Sequence, residues 1–474
     1  MAIGNIVHSI RNIMRKDSGV DGDAQRISEM TWMIFLKVFD AMEEEREAED
    51  DKYKSPMPKE ARWRNWASDD EGMTGDELYN FISDKVFGGL KNLDASEDKQ
   101  ARIVKQVFEE TNTYMKNGVL MRQVINEINK IDFTKDADRH MFNDIYETIL
   151  KELQSAGSSG EFYTPRAVTQ FIVDIIDPKI NESVLDPACG TGGFLICALN
   201  HMKKKNDSLE DMKLIEQNIY GVEKKSLPHL LCMTNMILHD LDTPNVIHGN
   251  SLSKPLRDIG SKDMIDCVVT NPPFGGAEED GIENNFPSEF RTRETADLFL
   301  VMIMKRLKEC GRCGIVLPDG FLFGEGVKTR IKAELLSEFN LHTIIRLPNG
   351  VFNPYTGIRT NLLFFEKGKP TKDIWYFEHP LPEGYKTYNK SKPIAIKEFD
   401  LEKDWWNNRE DGKFKQYSWK VSVEEIQKRN YNLDINNPNS IEEEDSLSSA
   451  EIIEKLDKNF KESSELLEKI KGEI

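Results

Sequence analysis

Residues 184–195 read VLDPACGTGGFL, from Val184 through the glycine turn to Leu195. The apolar start predicts a buried strand that delivers Asp186 to its carboxyl end. Gly190, Gly192 and Gly193 then open an apolar helix. Open α/β sheets take their ligands at the carboxyl ends of the strands. Gly190 and Gly192 permit positive φ and let a ligand approach the backbone closely. The turn has neither the G-x-G-x-x-G spacing of dinucleotide folds nor the Lys-Ser/Thr ending of a phosphate-cradling loop. Taken alone it also fits a tight strand-to-helix turn without chemistry.

Working outward, seven β-rich runs alternate with helical stretches. They are SVLDPACG (183–190), NIYGVE (218–223), NVIHG (245–249), DMIDCVVTNPPF (263–274), GRCGIVLP (311–318), HTIIRLP (342–348) and TNLLFFEKG (360–368). Helices are expected between them, for example over Gly193–Lys205 and Ala296–Glu309. Strands spaced by helices imply βαβ units and a sheet covered on both faces. Upstream, residues 1–155 read as mainly helical. Ile27, Met30, Ile34, Val38 and Met42 recur at steps of three and four before the acidic run EEEREAED, and further helical patterns lie at 76–90, 99–114 and 139–153. The serine and glycine joint Ser155-Ala-Gly-Ser-Ser-Gly160 marks a boundary. Residues 370–437 are polar and aromatic and suggest no separate fold. Beyond Pro438 the apolar positions Ile453, Leu456, Phe460, Leu467, Ile470 and Ile474 fit a heptad seam on a tail of net charge −6. So narrow a seam calls for a partner helix, although docking on the chain's own body fits it too. The expected organisation is therefore a helical domain over 1–155, a Rossmann-like α/β catalytic domain over 156–437, and a C-terminal partner-contact helix over 438–474.

Composition removes other classes. The 474 residues are 39% hydrophobic and 31% charged, an ordinary globular balance. The longest apolar run, Leu298–Met304, is far short of the ~20 residues that span a bilayer. The first residues, MAIGNIVHSIRNIMRKD, read as an amphipathic helix and not a signal peptide. A cytoplasmic protein without membrane contact is expected. The six cysteines fit reduced, packed thiols. Cys310-Gly-Arg-Cys313 falls where a helix ends and a strand begins, the reverse of a thioredoxin-like pair, and no second pair completes a zinc site. No metal is expected. The net charge of −19 weighs against tight polyanion binding by this chain alone. Local basic patches, for instance from Arg291, Arg293, Lys328, Arg330 and Lys332, are still expected, although each residue also reads as an ordinary surface charge.

Two further positions carry chemistry. Strand NIYGVE ends in Glu223, and an acidic residue at the end of the second strand is the usual partner of ribose hydroxyls. With a first turn that cradles no phosphate, an adenosine-like cofactor such as S-adenosylmethionine is implied. The strand ending TNPPF places Asn271 before two prolines that lack backbone donors. What remains is acceptors and a ring: the Asn271 side-chain oxygen, the Pro272 carbonyl and Phe274. An exocyclic NH₂ group needs two acceptors for its two hydrogens. A flat ring suits stacking on a base turned out of its duplex.

DPACGTGG followed by NPPF resembles the amino-group DNA methyltransferases. With the helical N-terminal region, the segment GEFYTPR (160–166), the run ADLFLVMIMKRLKECGRCGIVLPDGFLF (296–323) and YNLDINNP (431–438), the whole chain is similar to the modification subunit of type I restriction–modification systems. That resemblance implies methylation of the N6 amino group of a flipped adenine in double-stranded DNA from S-adenosylmethionine. It also implies a separate specificity subunit that reads the target, two copies of this chain per specificity subunit, and a translocating, cleaving restriction subunit that can join them. Carried over by position, Glu161, Phe162, Tyr163, Thr164, Pro165 and Arg166 wrap the cofactor. Asp186, Thr191, Gly192 and Gly193 line its methionine end, and Glu223 its ribose. Asn250 stands where many relatives have Asp in contact with the cofactor adenine, so a carboxylate acceptor is lost there. Asn271, Pro272, Pro273 and Phe274 take the target base.

Other readings are a solitary amino-group DNA methyltransferase, a protein glutamine-amide methyltransferase, or a non-catalytic scaffold. The amide enzymes more typically carry Tyr after the prolines and need no large helical domain. A ring-carbon cytosine methyltransferase fails, because none of the six cysteines follows a proline. An intact NPPF and glycine turn oppose the scaffold.

Overall fold

The computed structural model describes residues 3–133, 146, 163–204, 206, 208–353, 356–439, 459 and 461. The serine and glycine joint, Glu161, Phe162, most of the helical pattern at 139–153 and nearly all of the C-terminal heptad segment lie outside the described residues.

Among the described residues nine strands form one sheet: β1 (Val184–Asp186), β2 (Ile219–Glu223), β3 (Asn245–His248), β4 (Ile265–Thr270), β5 (Leu307–Pro318), β6 (Phe339–Arg346), β7 (Thr360–Lys367), β8 (Asp373–Glu378) and β9 (Ser418–Ser422). The spatial order is β3-β2-β1-β4-β5-β7-β6-β8-β9. Neighbours from β3 to β5 are parallel, β7 runs antiparallel between β5 and β6, β8 is parallel to β6, and β9 is antiparallel to β8. Strands β1 to β6 and β8 therefore point the same way, and the loops leaving them gather at one edge. Successive residues feed opposite faces. Val184 and Val316 join a cluster continuous with the helical region, while Leu185 and Ile315 join a second cluster on the other side.

The seven expected strands are β1 to β7. One helix ends early: Thr295–Arg306 stops three residues before the expected Glu309, and β5 begins at Leu307. Leu307 pairs with Ile265 and Arg312 with Cys267, so residues 308–311 bulge out between them, with Cys310 exposed at φ 62°. Residues 370–437 supply β8 and β9 to the same sheet. Their aromatic residues are packing: Tyr376 and Trp419 stack at 5.2 Å, Trp406 meets Phe364 edge-on at 5.1 Å, and Trp405 is fully buried.

In the helical region, Ile3–Met14, Gly22–Glu49, Lys99–Glu109 and Gly118–Asn129 are the main helices. The second buries Ile27, Met30, Ile34 and Val38 as the pattern requires, with Met42 packed at the margin. Its Glu29 carboxylate, fully buried, accepts from Thr113 Oγ1 and the Tyr114 N–H, both at 2.7 Å, and so fixes the extended segment after Glu109. This helix packs against Ser226–Leu238, the helix that follows β2.

Candidate active site

The carboxyl ends of β1, β2 and β4 surround a cavity of about 300 Å³, within the range of small-molecule pockets. Asp186 ends β1 and is 1% exposed. Its Oδ1 accepts from Thr270 Oγ1 at 2.7 Å and from the Ala188 N–H at 3.1 Å, which ties β1 to β4. Glu223 ends β2, and its two oxygens accept the Gly190 N–H at 2.9 Å and the Lys225 N–H at 2.7 Å. The glycine turn is thus clamped to the second strand. Burial raises the pKa of both carboxyls, that of Asp186 to about 7, and each hydrogen bond opposes the shift only in part.

Gly192 sits at φ 82°, and a Cβ there would lie 2.9 Å from Cys232 Sγ. A Cβ at Gly193 would lie 2.8 Å from Arg166 Nη1, so the Arg166 guanidinium lies over the start of the helix that the turn opens. Asn235 Nδ2 holds the Thr191 carbonyl at 2.9 Å. Gly192→Ala is expected to cost about 1–2 kcal/mol of stability from the left-handed backbone alone, read as a lower thermal midpoint with the secondary structure retained.

Asn271 leaves β4 beside this turn. Its Nδ2 donates to Thr164 Oγ1 at 3.0 Å, while its Oδ1 is buried without a hydrogen-bond partner. A buried acceptor left open in this way costs free energy unless a ligand supplies the donor. Pro273 and Phe274 line the cavity next to it, and Pro272 is buried behind them. The loop after β6 brings Phe352 edge-on to Phe274, with ring centroids 6.2 Å apart and planes at 79°.

Of the expected residues, Thr164, Asp186, Thr191, Gly193, Glu223, Asn271, Pro273 and Phe274 line one cavity. Tyr163, Pro165 and Gly192 adjoin lining residues in the chain without lining the cavity, and Asn250 reaches it through a hydrogen bond to Glu278. Thr270, Glu278 and Phe352 went unnoticed in the sequence. A threonine before NPPF and a phenylalanine in the glycine-containing loop PNGVF were the available signals, and both needed the strand order to be legible. The expected basic patch is corrected at two positions. Lys332 is fully buried, donating to the Leu322 and Gly324 carbonyls, and Lys328 pairs with buried Asp297 at 2.7 Å. Both are already engaged by the protein's own groups, whereas Arg291, Arg293 and Arg330 are exposed. No described helix is long and apolar enough to cross a membrane.

Comparison with known proteins places the chain in a family. The N-6 DNA methylase family profile matches residues 137–446, and that of the HsdM N-terminal domain matches residues 3–128. The chain is 57% identical over 446 residues to the type I restriction enzyme EcoEI methylase subunit of Escherichia coli, covering 92% of this chain and 91% of that one. A crystal structure of a modification subunit assigned to a type I restriction enzyme from Vibrio vulnificus YJ016 superposes with a TM-score of 0.83 at 44% identity, covering 94% of this chain and 98% of that one. A chain from a study of complex assembly and conformational transition in the type I R-M system gives 0.84 at 37% identity, covering 99% and 97%. The matched helical domain disfavours the glutamine-amide reading. With both its helical and its catalytic parts accounted for, the chain belongs to the N-6 DNA methylase family, among the methylase subunits of type I restriction enzymes.

Proposed function

We propose that this chain transfers a methyl group from S-adenosylmethionine to the N6 amino group of an adenine flipped out of double-stranded DNA. The observation that carries the reading is the buried, unpartnered Asn271 Oδ1, set between a ring and a carboxylate-lined cavity. The residues fit the cofactor. Asp186, Glu223 and Glu278 bring carboxyl groups to the cavity, which suit a cationic methionine end and ribose hydroxyls and oppose a phosphate. When bound, S-adenosylmethionine supplies an electrophilic methyl group on a sulfonium sulfur.

The protein's part is positioning. Thr164 orients the Asn271 amide so that Oδ1, with the Pro272 carbonyl, accepts the two amino hydrogens. Held in this way the nitrogen moves toward tetrahedral geometry and its lone pair becomes available to the methyl carbon. The two acceptors would stabilise the positive charge growing on nitrogen as it takes the methyl group, the sulfur would leave as a neutral thioether, and the surplus proton on nitrogen would pass to solvent. Phe274 stacks on the base, and Phe352 fixes the angle of that ring. Tyr163 and Arg166, with Glu161 and Phe162, wrap the cofactor.

Target reading falls to a specificity subunit. The chain carries a net charge of −19, Lys332 is buried and Lys328 is taken up by ion pairs, and aromatic residues of 370–437 pack in the core. Two copies of this chain join one specificity subunit in the cytoplasm, a restriction subunit can add to them, and the segment 438–474 serves the contact. The test is labelled methyl transfer to DNA by this chain with and without its specificity subunit. Transfer only in the mixture is expected. Equal transfer by the chain alone would overturn the division of labour and leave a solitary enzyme.

A further inference from the structure

The loop after Phe274 carries a carboxylate into the cavity. Glu278 is 7% exposed and lines the cavity beside Glu223 and Lys224. Its position is built. The Glu278 N–H donates to the Arg293 carbonyl at 2.9 Å, and Thr295 holds the Gly276 carbonyl through its N–H at 3.1 Å and its Oγ1 at 2.9 Å. Three donors converge on Glu278 Oε1: Lys224 Nζ at 2.5 Å, Asn250 Nδ2 at 3.2 Å and the Glu279 N–H at 3.3 Å. Among the described residues none falls on Oε2.

Asn250 is differently committed. Its Oδ1 accepts the Leu252 N–H at 2.9 Å, its Nδ2 serves Glu278, and it does not line the cavity. Asn250, two residues beyond β3, therefore holds a carboxylate that arrives from another loop. Resting on the reading of this cavity as an S-adenosylmethionine site, we propose that Glu278 is the residue that selects the cofactor's base, its Oε2 accepting the exocyclic amino group of adenine, with Asn250 and Lys224 as positioning residues. An ionised carboxylate only accepts. Lys224 pairs with it at 2.5 Å. A 6-amino purine satisfies that acceptor, and a 6-oxo purine sets oxygen against oxygen. Sites built to pair a substrate N–H reject analogues that lack it much more strongly than apolar pockets reject a change of size.

The experiment is calorimetric binding of S-adenosylhomocysteine and its deaminated analogue S-inosylhomocysteine to the full chain. The wild type is expected to prefer the adenosyl compound by roughly tenfold or more, since a hydrogen bond to a charged group is at stake. In Glu278→Gln the amide can turn its NH₂ toward the 6-oxo group, so the preference is expected to vanish or reverse. A merely structural role would weaken both ligands alike and keep their ratio. Binding of the adenosyl compound with an unchanged ratio in Glu278→Gln overturns this inference and leaves the cofactor reading standing. A wild type that binds both analogues equally overturns it without any variant. Binding of neither overturns the cofactor reading and the inference with it.

Discussion

Asn271→Ala is expected to lower single-turnover methyl transfer by about 10²–10³-fold, the loss seen when one preorganised group facing transition-state charge is removed. The affinity for S-adenosylhomocysteine should stay within about twofold. The split follows from where the side chain points. On the proposed reading the unpartnered Oδ1 accepts from the reacting amino group, while the other residues that line the cavity hold the cofactor. An interaction realised mainly as charge develops raises the rate without raising ground-state affinity. The measurement is labelled methyl transfer by the complex with its specificity subunit under enzyme excess, beside calorimetric binding by the same preparation. A normal rate would mean that Asn271 does not touch the amino group. A parallel fall in cofactor affinity would mean that its bond to Thr164 shapes the cofactor cavity instead.

Part of this candidate site was legible in the sequence, because the residues that meet there are consecutive. Asp186 with its glycine turn, and Asn271 through Phe274, lie on single strand-to-loop junctions, where a period-2 apolar run and its terminating residues suffice to place them. The helical region was legible for a similar reason, through the three-and-four spacing on Gly22–Glu49. What escaped depends on contacts between distant segments. Phe352 lies 78 positions beyond Phe274, and the two rings meet only because β7 inserts between β5 and β6 and returns the β6 loop to the ligand edge. Glu278 is one of three carboxylates in the stretch GAEED, and only the fold brings it against Lys224 and Asn250. Lys332 reads as a surface cation on an amphipathic helix, yet the Leu322 and Gly324 carbonyls draw it inside. Charge type is written in the sequence, but solvation is decided by tertiary packing.

Asp186 gives the second large effect, a pH dependence of cofactor binding. Burial holds its carboxyl up at about 7, the bonds from Thr270 and Ala188 pull it down only in part, and the charge of Glu223 adds to the rise. In the empty protein near neutral pH, a large fraction of Asp186 is therefore protonated. The sign follows from linkage. The raised value means that the folded protein holds this proton more tightly than the unfolded chain, so ionised Asp186 weighs against stability above its unfolded pKa, fully so beyond about 7. A cationic ligand reverses the preference and expels the proton. S-adenosylmethionine affinity should then rise as pH increases toward 7, by up to about tenfold per unit, and level off above it. Proton release on binding should show as a dependence of the calorimetric enthalpy on buffer ionisation below pH 7. Asp186→Asn is expected to bind roughly 10- to 100-fold more weakly at pH 8, having lost a charge-assisted contact, and to lose most of the pH slope. Glu223 is also raised by burial, but it accepts backbone N–H groups on both oxygens, so the slope left in Asp186→Asn measures its share. A wild-type affinity that is flat from pH 6 to 8 would show that Asp186 is already ionised in the empty cavity, its two hydrogen bonds outweighing burial. The methionine end of the cofactor would then meet a preformed charge, with no proton to displace.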